Sequence, residues 1–296
     1  MTTREAFVAV LARYSAELPA LLRAAAADEP DAVHQARILV RRTRGVLAAG
    51  RRALGRERAD ALRDELEPIG QDLGVVRDLE VRIAQSEAQV TAGADAAVVD
   101  RLIVRERDRY RDAHAVLVDD LEGADRGLDA LAAFVADAPG GSHAERPAPR
   151  GAAAALRREI RRVGRAERAL LGDLDSLHRY RRATRRLRYV AEAFTEDPAV
   201  VFHGDDHDAV VKLAEAAKAV QDVLGDHRDA MLFALDVREI DAEARDAGDG
   251  SADARADFAG IAASSFAEAA RLLDGLPDAV AGLHEAIDAV PDSLGG

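Results

Sequence analysis

Apolar residues return at intervals of three and four along nearly the whole of this 296-residue chain, the spacing of helices that bury one face. A first helix is predicted over residues 3–25, with Phe7, Val10, Leu11, Tyr14, Leu18, Leu21 and Leu22 on one side and a kink at Pro19. Asp28-Glu29-Pro30-Asp31 reads as a turn and N-cap ahead of a second helix that ends near Gly50 to Gly55. A third should run from Glu57 to Gln89 with a bend at Pro68 and Gly70, a fourth from Asp95 to Leu121, and a short fifth over residues 125–135. Residues 137–151, DAPGGSHAERPAPRG, hold three Pro and three Gly and read as a linker. The helical spacing then resumes up to Leu170. It resumes again at Leu177, with Asp175 or Ser176 as cap, and a third time after HGDDHDA at residues 203–209. Asp241 to Asp253 reads as an acidic loop, followed by helices over residues 255–274 and 278–290. The expectation is an all-α protein made of two halves, residues 1–136 and 152–296, each a bundle of about four helices.

Two stretches repeat. VHQARILVRRTRGVLAAG, Val33 to Gly50, returns 144 positions later as LHRYRRATRRLRYVAEAF, Leu177 to Phe194. His34 meets His178, Arg37 meets Arg181, and Arg41, Arg42 and Arg44 meet Arg185, Arg186 and Arg188. At about 100° per residue each helix has one apolar stripe and one stripe carrying a histidine with three arginines. Like charges on adjacent turns repel by roughly 0.2–0.5 kcal/mol per pair, and a helix that needed only solubility would mix signs. The stripe therefore reads as an anion site. Arg158, Arg161, Arg162 and Arg165 form another basic stripe, opposite Leu156, Ile160, Val163 and Leu170. A second landmark, Leu73-Gly74-x-x-Arg77-Asp78, returns as Leu224-Gly225-x-x-Arg228-Asp229 at an offset of 151. The repeats predict duplication. The glycines are expected to let helices pack closely, and the aspartates to orient an arginine. His34 and His178 are expected in the first turns of their helices, where free amides favour anions.

Composition sharpens this picture. Net charge is −13, yet His34 to Arg58 contains eight Arg and one acid, and Arg157 to Arg188 twelve Arg and four acids. From Asp236 onward there are fourteen acids and four Arg. An acidic body with concentrated basic stripes focuses its field at a cleft and stays soluble. With 4% aromatics and no Trp the core must come from Ala, Leu and Val, and with no Cys neither a disulfide frame nor a thiolate metal site is available. There is no basic start followed by an apolar block, and no apolar run of about 18 residues, so a soluble cytoplasmic protein without membrane contact is expected. His203 and His207 have zinc-like spacing, but Pro198 and Gly204 make the stretch a loop and cap, and no metal or other cofactor is expected. His114 and His284 read as ordinary surface residues.

The pair of H-x-x-R-x-x-x-R-R-x-R helices, each followed by L-G-x-x-R-D, resembles the CHAD family, named for a conserved-histidine α-helical domain. The resemblance spans roughly residues 3–275. It implies two pseudo-symmetric four-helix bundles forming a basic groove or pore. It also implies non-catalytic binding of inorganic polyphosphate and association with polyphosphate granules. Carried over, the binding residues are His34, Arg37, Arg41, Arg42 and Arg44, then His178, Arg181, Arg185, Arg186 and Arg188, with Lys218 matching a lysine upstream of L-G. The corresponding first-half position is Glu67, a departure from the pattern. The alternatives are a polyphosphate- or triphosphate-processing enzyme and a nucleic-acid binder. Against the first, there is no E-x-E-x-K strand or P-loop. Against the second, the few aromatics fall at core spacing.

Overall fold

A computed structural model describes residues 1–123, 125–246 and 252–291. Among them there is no strand; the chain is a succession of helices, as the spacing predicts. They are α1 (Thr3–Ala26), α2 (Ala32–Gly50), α3 (Arg56–Glu65), α4 (Glu67–Thr91), α5 (Ala96–Glu122), α6 (Asp125–Ala136), α7 (Ala148–Arg168), α8 (Leu174–Thr195), α9 (Asp205–Asp246), α10 (Ala252–Leu272) and α11 (Leu276–Asp288). A short 3-10 turn joins the last two.

Two boundaries move for local reasons. The helix predicted from Glu57 to Gln89 is two helices with Leu66 between them, because Pro68 in the first turn of α4 starts a new helix rather than bending an old one. Helix α8 begins earlier than Asp175 or Ser176 would allow. Asp173 caps it, its Oδ1 accepting from Ser176 N at 2.6 Å. The predicted acidic loop is shorter, since α9 runs on to Asp246, and residues 247–251 of it lie outside the described residues.

The predicted linker is held against the body. Gly141 N donates to Ala53 O at 2.8 Å, and Thr3 N donates to Arg146 O at 2.7 Å. Gly151 sits where any Cβ would meet the Thr3 side chain at 2.0 Å, so α1 and α7 approach backbone to side chain there.

The main core does not stop at that boundary. Phe7 of α1 meets Phe194 of α8 edge to face at 4.9 Å. Tyr14, Leu18, Val40, Leu47, Tyr180 and Leu187 join the same buried cluster. A smaller cluster packs Val98 and Leu102 of α5 against Phe233, Val237 and Phe258 of α9 and α10. Helices α2 and α8 thus have their apolar stripes locked into one core, which fixes where their polar stripes point. Phe194 is fully buried. Phe194→Ala should destabilise the fold by about 3–5 kcal/mol; a shift in the urea midpoint of less than the equivalent of ~1 kcal/mol would place the core elsewhere.

Candidate functional site

Where α2 crosses α8, Gly45 lies so close to Tyr189 that a Cβ would sit 3.4 Å from its ring. The crossing separates two polar environments. On one side Arg42 of α2 and Arg188 of α8 both bind Glu192, at 2.8 Å and 2.9 Å. Burial raises the Glu192 pKa, and its two arginines oppose that rise. Both guanidiniums also lie over the Tyr189 ring, at 5.9 Å and 5.1 Å from its centre.

On the other side is a cavity of about 1020 Å³. Helix α2 contributes Arg37, Arg41 and Arg44 to its wall, and α7 contributes Arg162 and Arg165. Helix α8 contributes His178, Arg179, Arg181, Arg182, Arg185 and Arg186, while Arg63 and Arg228 come from α3 and α9. That is twelve arginines against two carboxylates, Glu67 and Asp78. Both carboxylates are occupied: Glu67 by Arg44 at 3.1 Å, and Asp78 by Arg37 at 3.1 Å and Arg228 at 3.3 Å. Buried Glu159 holds Arg162 and Arg186 from outside the lining, at 3.0 Å and 2.8 Å, and Asp60 holds Arg63. The remaining six, Arg41, Arg165, Arg179, Arg181, Arg182 and Arg185, have no carboxylate at ion-pair distance among the described residues.

The cost of this arrangement shows in the titrations. Burial, then the facing Arg185 and Arg37, pulls Arg41 down to about 9. Burial pulls Arg185 down to about 10, with Arg181 and Arg37 adding to the effect against Tyr189. Both remain guanidinium at neutral pH, so the cavity carries a large uncompensated positive charge. His178 is driven down to about 4, by burial and then by Arg182, Arg228, Arg185 and Arg181, so it is neutral when the cavity is free of anions.

Several assigned positions lie elsewhere. Arg42 and Arg188 are committed to Glu192 across the crossing. Arg158 donates to the carbonyls of Ala154 at 3.0 Å and Ala49 at 2.8 Å and ties α7 to α2. Arg161 is exposed and outside the lining. Lys218 is exposed and bonds Asp222 at 2.5 Å. His34 is also outside, beside the Arg77–Glu80 pair, and burial with Arg77 lowers its pKa. His34 is in the first turn of α2. His178, by contrast, is the fifth residue of α8, because that helix starts at Leu174, so its place at the cavity does not depend on free amides. His207 bonds Thr195 O at 3.2 Å and His203 is exposed; among the described residues no cluster of three metal-competent side chains forms.

Reading α8 only through its match to α2 misses Arg182, whose counterpart is Ile38, and Arg179, whose counterpart is Gln35. The helical spacing within α8 marks Arg182, four residues after His178 and on its face. Arg63 carries no such signal in its short helix. Arg228 is visible in the second landmark, which assigns it no part in the site; it bonds Asp229 at 3.2 Å and reaches Asp78 at 3.3 Å.

The landmark glycines face arginines of the neighbouring helices, closely only at Gly225. A Cβ at Gly225 would meet the Arg181 guanidinium at 2.9 Å, and one at Gly74 would meet Arg37 Nε at 3.6 Å. At Gly225 the missing side chain lets Arg181 lie across α9, where its Nε donates to Gln221 O at 3.4 Å, whereas at Gly74 a Cβ would make only ordinary contact with Arg37. Gly225→Ala should leave stability unchanged or raised by up to about 1 kcal/mol, from helix propensity. It should also displace Arg181 and weaken anion binding several-fold. Unchanged binding in that variant would mean Arg181 does not need its seat.

The family model described as CHAD domain matches residues 5–235. Two uncharacterized proteins of Mycobacterium tuberculosis, MT2285 and Rv2226, are each 31% identical over 222 residues, which is 71% of this chain and 40% of theirs. The chain therefore spans well under half the length of these relatives. Among solved structures, PptA from Streptomyces chartreusis superposes with a TM-score of 0.72 at 16% identity, covering 97% of this chain and 100% of that one. The CHAD domain from the plant Ricinus communis gives a TM-score of 0.59 at 22% identity, covering 96% and 92%. At these identities the likeness is one of fold.

Proposed function

The chain belongs to the CHAD domain family, and from that premise we propose that its arginine-lined cavity binds inorganic polyphosphate without turning it over and so attaches the protein to polyphosphate granules. The supporting observation is the imbalance in the cavity wall, twelve arginines facing two carboxylates that are already paired. Every internal phosphoryl unit of polyphosphate carries a negative charge and none carries a base. Its binder needs rows of guanidinium donors and little aromatic surface. Tyr189 is the one aromatic in the wall, and arginines already lie over its ring. A nucleic-acid groove would call for stacking platforms instead.

Helical rows suit a flexible polyanion. Arg37, Arg41 and Arg44 step along α2, and Arg181 and Arg185 along α8, at about 6 Å per four residues. Each contact is a charge-assisted hydrogen bond worth on the order of 1.5–3 kcal/mol when partly desolvated. Counterion release should make the affinity fall linearly with salt on logarithmic axes, as it does for nucleic acids. Catalysis has little to work with. Both carboxylates of the wall are held by arginine, so neither is free to act as a base or to bridge a divalent cation.

The charge-reversal pair Arg41→Glu with Arg185→Glu should lower affinity for long-chain polyphosphate at least a hundredfold, the loss of two such contacts. Helicity should be unchanged, and wild-type protein incubated with polyphosphate and divalent metal should release no phosphate. Retained affinity in the double variant, or equal affinity of the wild type for single-stranded DNA of matched charge, would overturn the reading.

The lowered pKa of His178 adds a pH dependence with a definite sign. Anion binding brings negative charge beside the imidazole and raises its pKa above the free value of about 4. The complex then binds a proton that the free protein lacks. Affinity should rise as pH falls from neutrality and level off below about 4. His178→Asn should flatten that slope; a slope identical to wild type would remove His178 from the binding event.

A further inference from the structure

Past the cavity the hairpins α4–α5 and α9–α10 stay in contact, and charged groups are shut into the seam between them. Asp78 of α4 meets Arg228 of α9 at the cavity wall, at 3.3 Å. One turn further along α4, Arg82 faces two carboxylates. They are Glu106 of α5, 1% exposed, and Asp236 of α9, 7% exposed. The smaller apolar cluster, with Leu102, Phe233 and Val237, is built from the adjoining turns of the same two helices.

Both carboxylates lean on one guanidinium nitrogen. Arg109 Nη1 donates to Glu106 Oε1 at 3.0 Å and to Asp236 Oδ1 at 2.7 Å. Arg82 stands further off, its Nη1 3.7 Å from Glu106 Oε2 and 3.8 Å from Asp236 Oδ1. Glu106 Oε2 is thus sealed from solvent, and among the described residues no donor reaches it. A buried acceptor without a donor costs free energy. A proton on that oxygen removes the cost, because it turns the acceptor into a donor with the Asp236 carboxylate as its partner. Burial, then Asp236, raises the Glu106 pKa above the ordinary glutamate value, against the opposing effect of Arg82 and Arg109. The other charged groups at this seam are turned elsewhere. Exposed Glu239 of α9 lies 3.9 Å from Arg109, and Arg105 of α5 pairs with Glu243. Helix α10 brings the apolar Phe258, Ile261 and Ala262 to the adjoining cluster.

We propose that Glu106 and Asp236 share one proton in the folded protein and so form a pH-sensitive lock between the two hairpins, tighter as pH falls. With the proton in place, Glu106 donates to Asp236 and α5 is bonded to α9. When it leaves, two buried carboxylates face each other across one shared arginine nitrogen, and the seam is weakened. Glu106 gains proton affinity on folding. Its contribution to stability is therefore complete below the unfolded glutamate value and is lost as pH rises through the folded one. The lock works without any ligand, so it stands or falls apart from the polyphosphate reading.

The test uses the full chain without polyanion. Carboxyl-carbon NMR of protein with isotopically labelled glutamate, the Glu106 signal assigned through its own backbone amide, follows the group directly. Glu106 should titrate above the ordinary glutamate range in the wild type, and lower in Asp236→Asn, where the facing negative charge is gone. Glu106→Gln imitates the protonated side chain. Its urea midpoint should exceed that of the wild type at about pH 8, and the gap should close as pH falls to about 5. Amides of α5 around Glu106 should exchange several-fold more slowly in that variant at the higher pH, and at the wild-type rate at the lower. The wild-type titration keeps the test open if a variant fails to fold. A Glu106 signal that titrates at or below the ordinary value overturns the proposal. So does one that Asp236→Asn leaves unmoved, or a midpoint gap that is the same at both pH values.

Discussion

The rest of the molecule is arranged around an unfavourable contact, the meeting of guanidinium groups at the α2–α8 crossing with no carboxylate between them. Arg41 and Arg185 lie 144 residues apart in the sequence and are half-buried; Arg185 lowers the proton affinity of Arg41, and Arg181 and Arg37 lower that of Arg185. Such a cluster persists only if other forces over-determine it. Here the other faces of the same two helices do so: Phe194, Tyr180, Val40 and Leu47 are sealed in a common core. On the back of the crossing Glu192 binds Arg42 and Arg188, and Glu196 reaches Arg42 at 3.8 Å, so the charge there is offset and α2 is tied to α8. The carboxylate at the crossing is on the side away from the cavity.

The same selectivity governs the remaining acids near the site. Glu159 reaches two cavity arginines from outside the lining, and Asp78 holds one arginine from each of α2 and α9. Glu159 positions its guanidiniums without entering the cavity wall, whereas Asp78 stands in the wall and is already paired. Six arginines are left for which an external anion is the natural partner. With a net charge of −13 the surrounding body is acidic, which lends the cavity contrast at long range and keeps the molecule from being a general polycation.

Most of the helices can be read from periodicity alone, because each buries a stripe of Ala, Leu and Val that nothing else in the sequence imitates. The boundaries that shift do so through single local residues: Pro68 opens α4, and Asp173 caps α8 ahead of the polar residues that look like better candidates. Matching the two basic stretches identifies Arg37, Arg41, Arg44, Arg181, Arg185 and Arg186, all on the cavity wall. It fails for Arg42 and Arg188. Their place in the repeat is the same as that of the lining residues, but Glu192 on the next turn of α8 claims them, and a one-dimensional comparison carries no information about which side of a crossing a residue faces. Lys218, carried over from the family resemblance and not from that match, lies off the cavity wall and pairs with Asp222 one turn away. Arg182 and Arg179 escape because they have no counterpart in α2, although the spacing within α8 marks Arg182. The use of Gly225 as a seat for Arg181 depends on an approach between helices that only coordinates reveal.

If the cavity arginines are held together against their own repulsion, removing one should relieve the ligand-free fold while harming what the fold is for. The direct measurement is the unfolding free energy of Arg41→Met, by urea denaturation without polyanion, at low and at high salt. A longer apolar side chain fills the space of the guanidinium stem and carries none of its charge. The account predicts a variant more stable than wild type by about 0.5–2 kcal/mol at low ionic strength, with the difference shrinking as salt screens the wild-type repulsion. A variant less stable than wild type at low salt would contradict it, since Arg41 would then be contributing net attraction where burial and like charge outweigh the opposing effect of Tyr189.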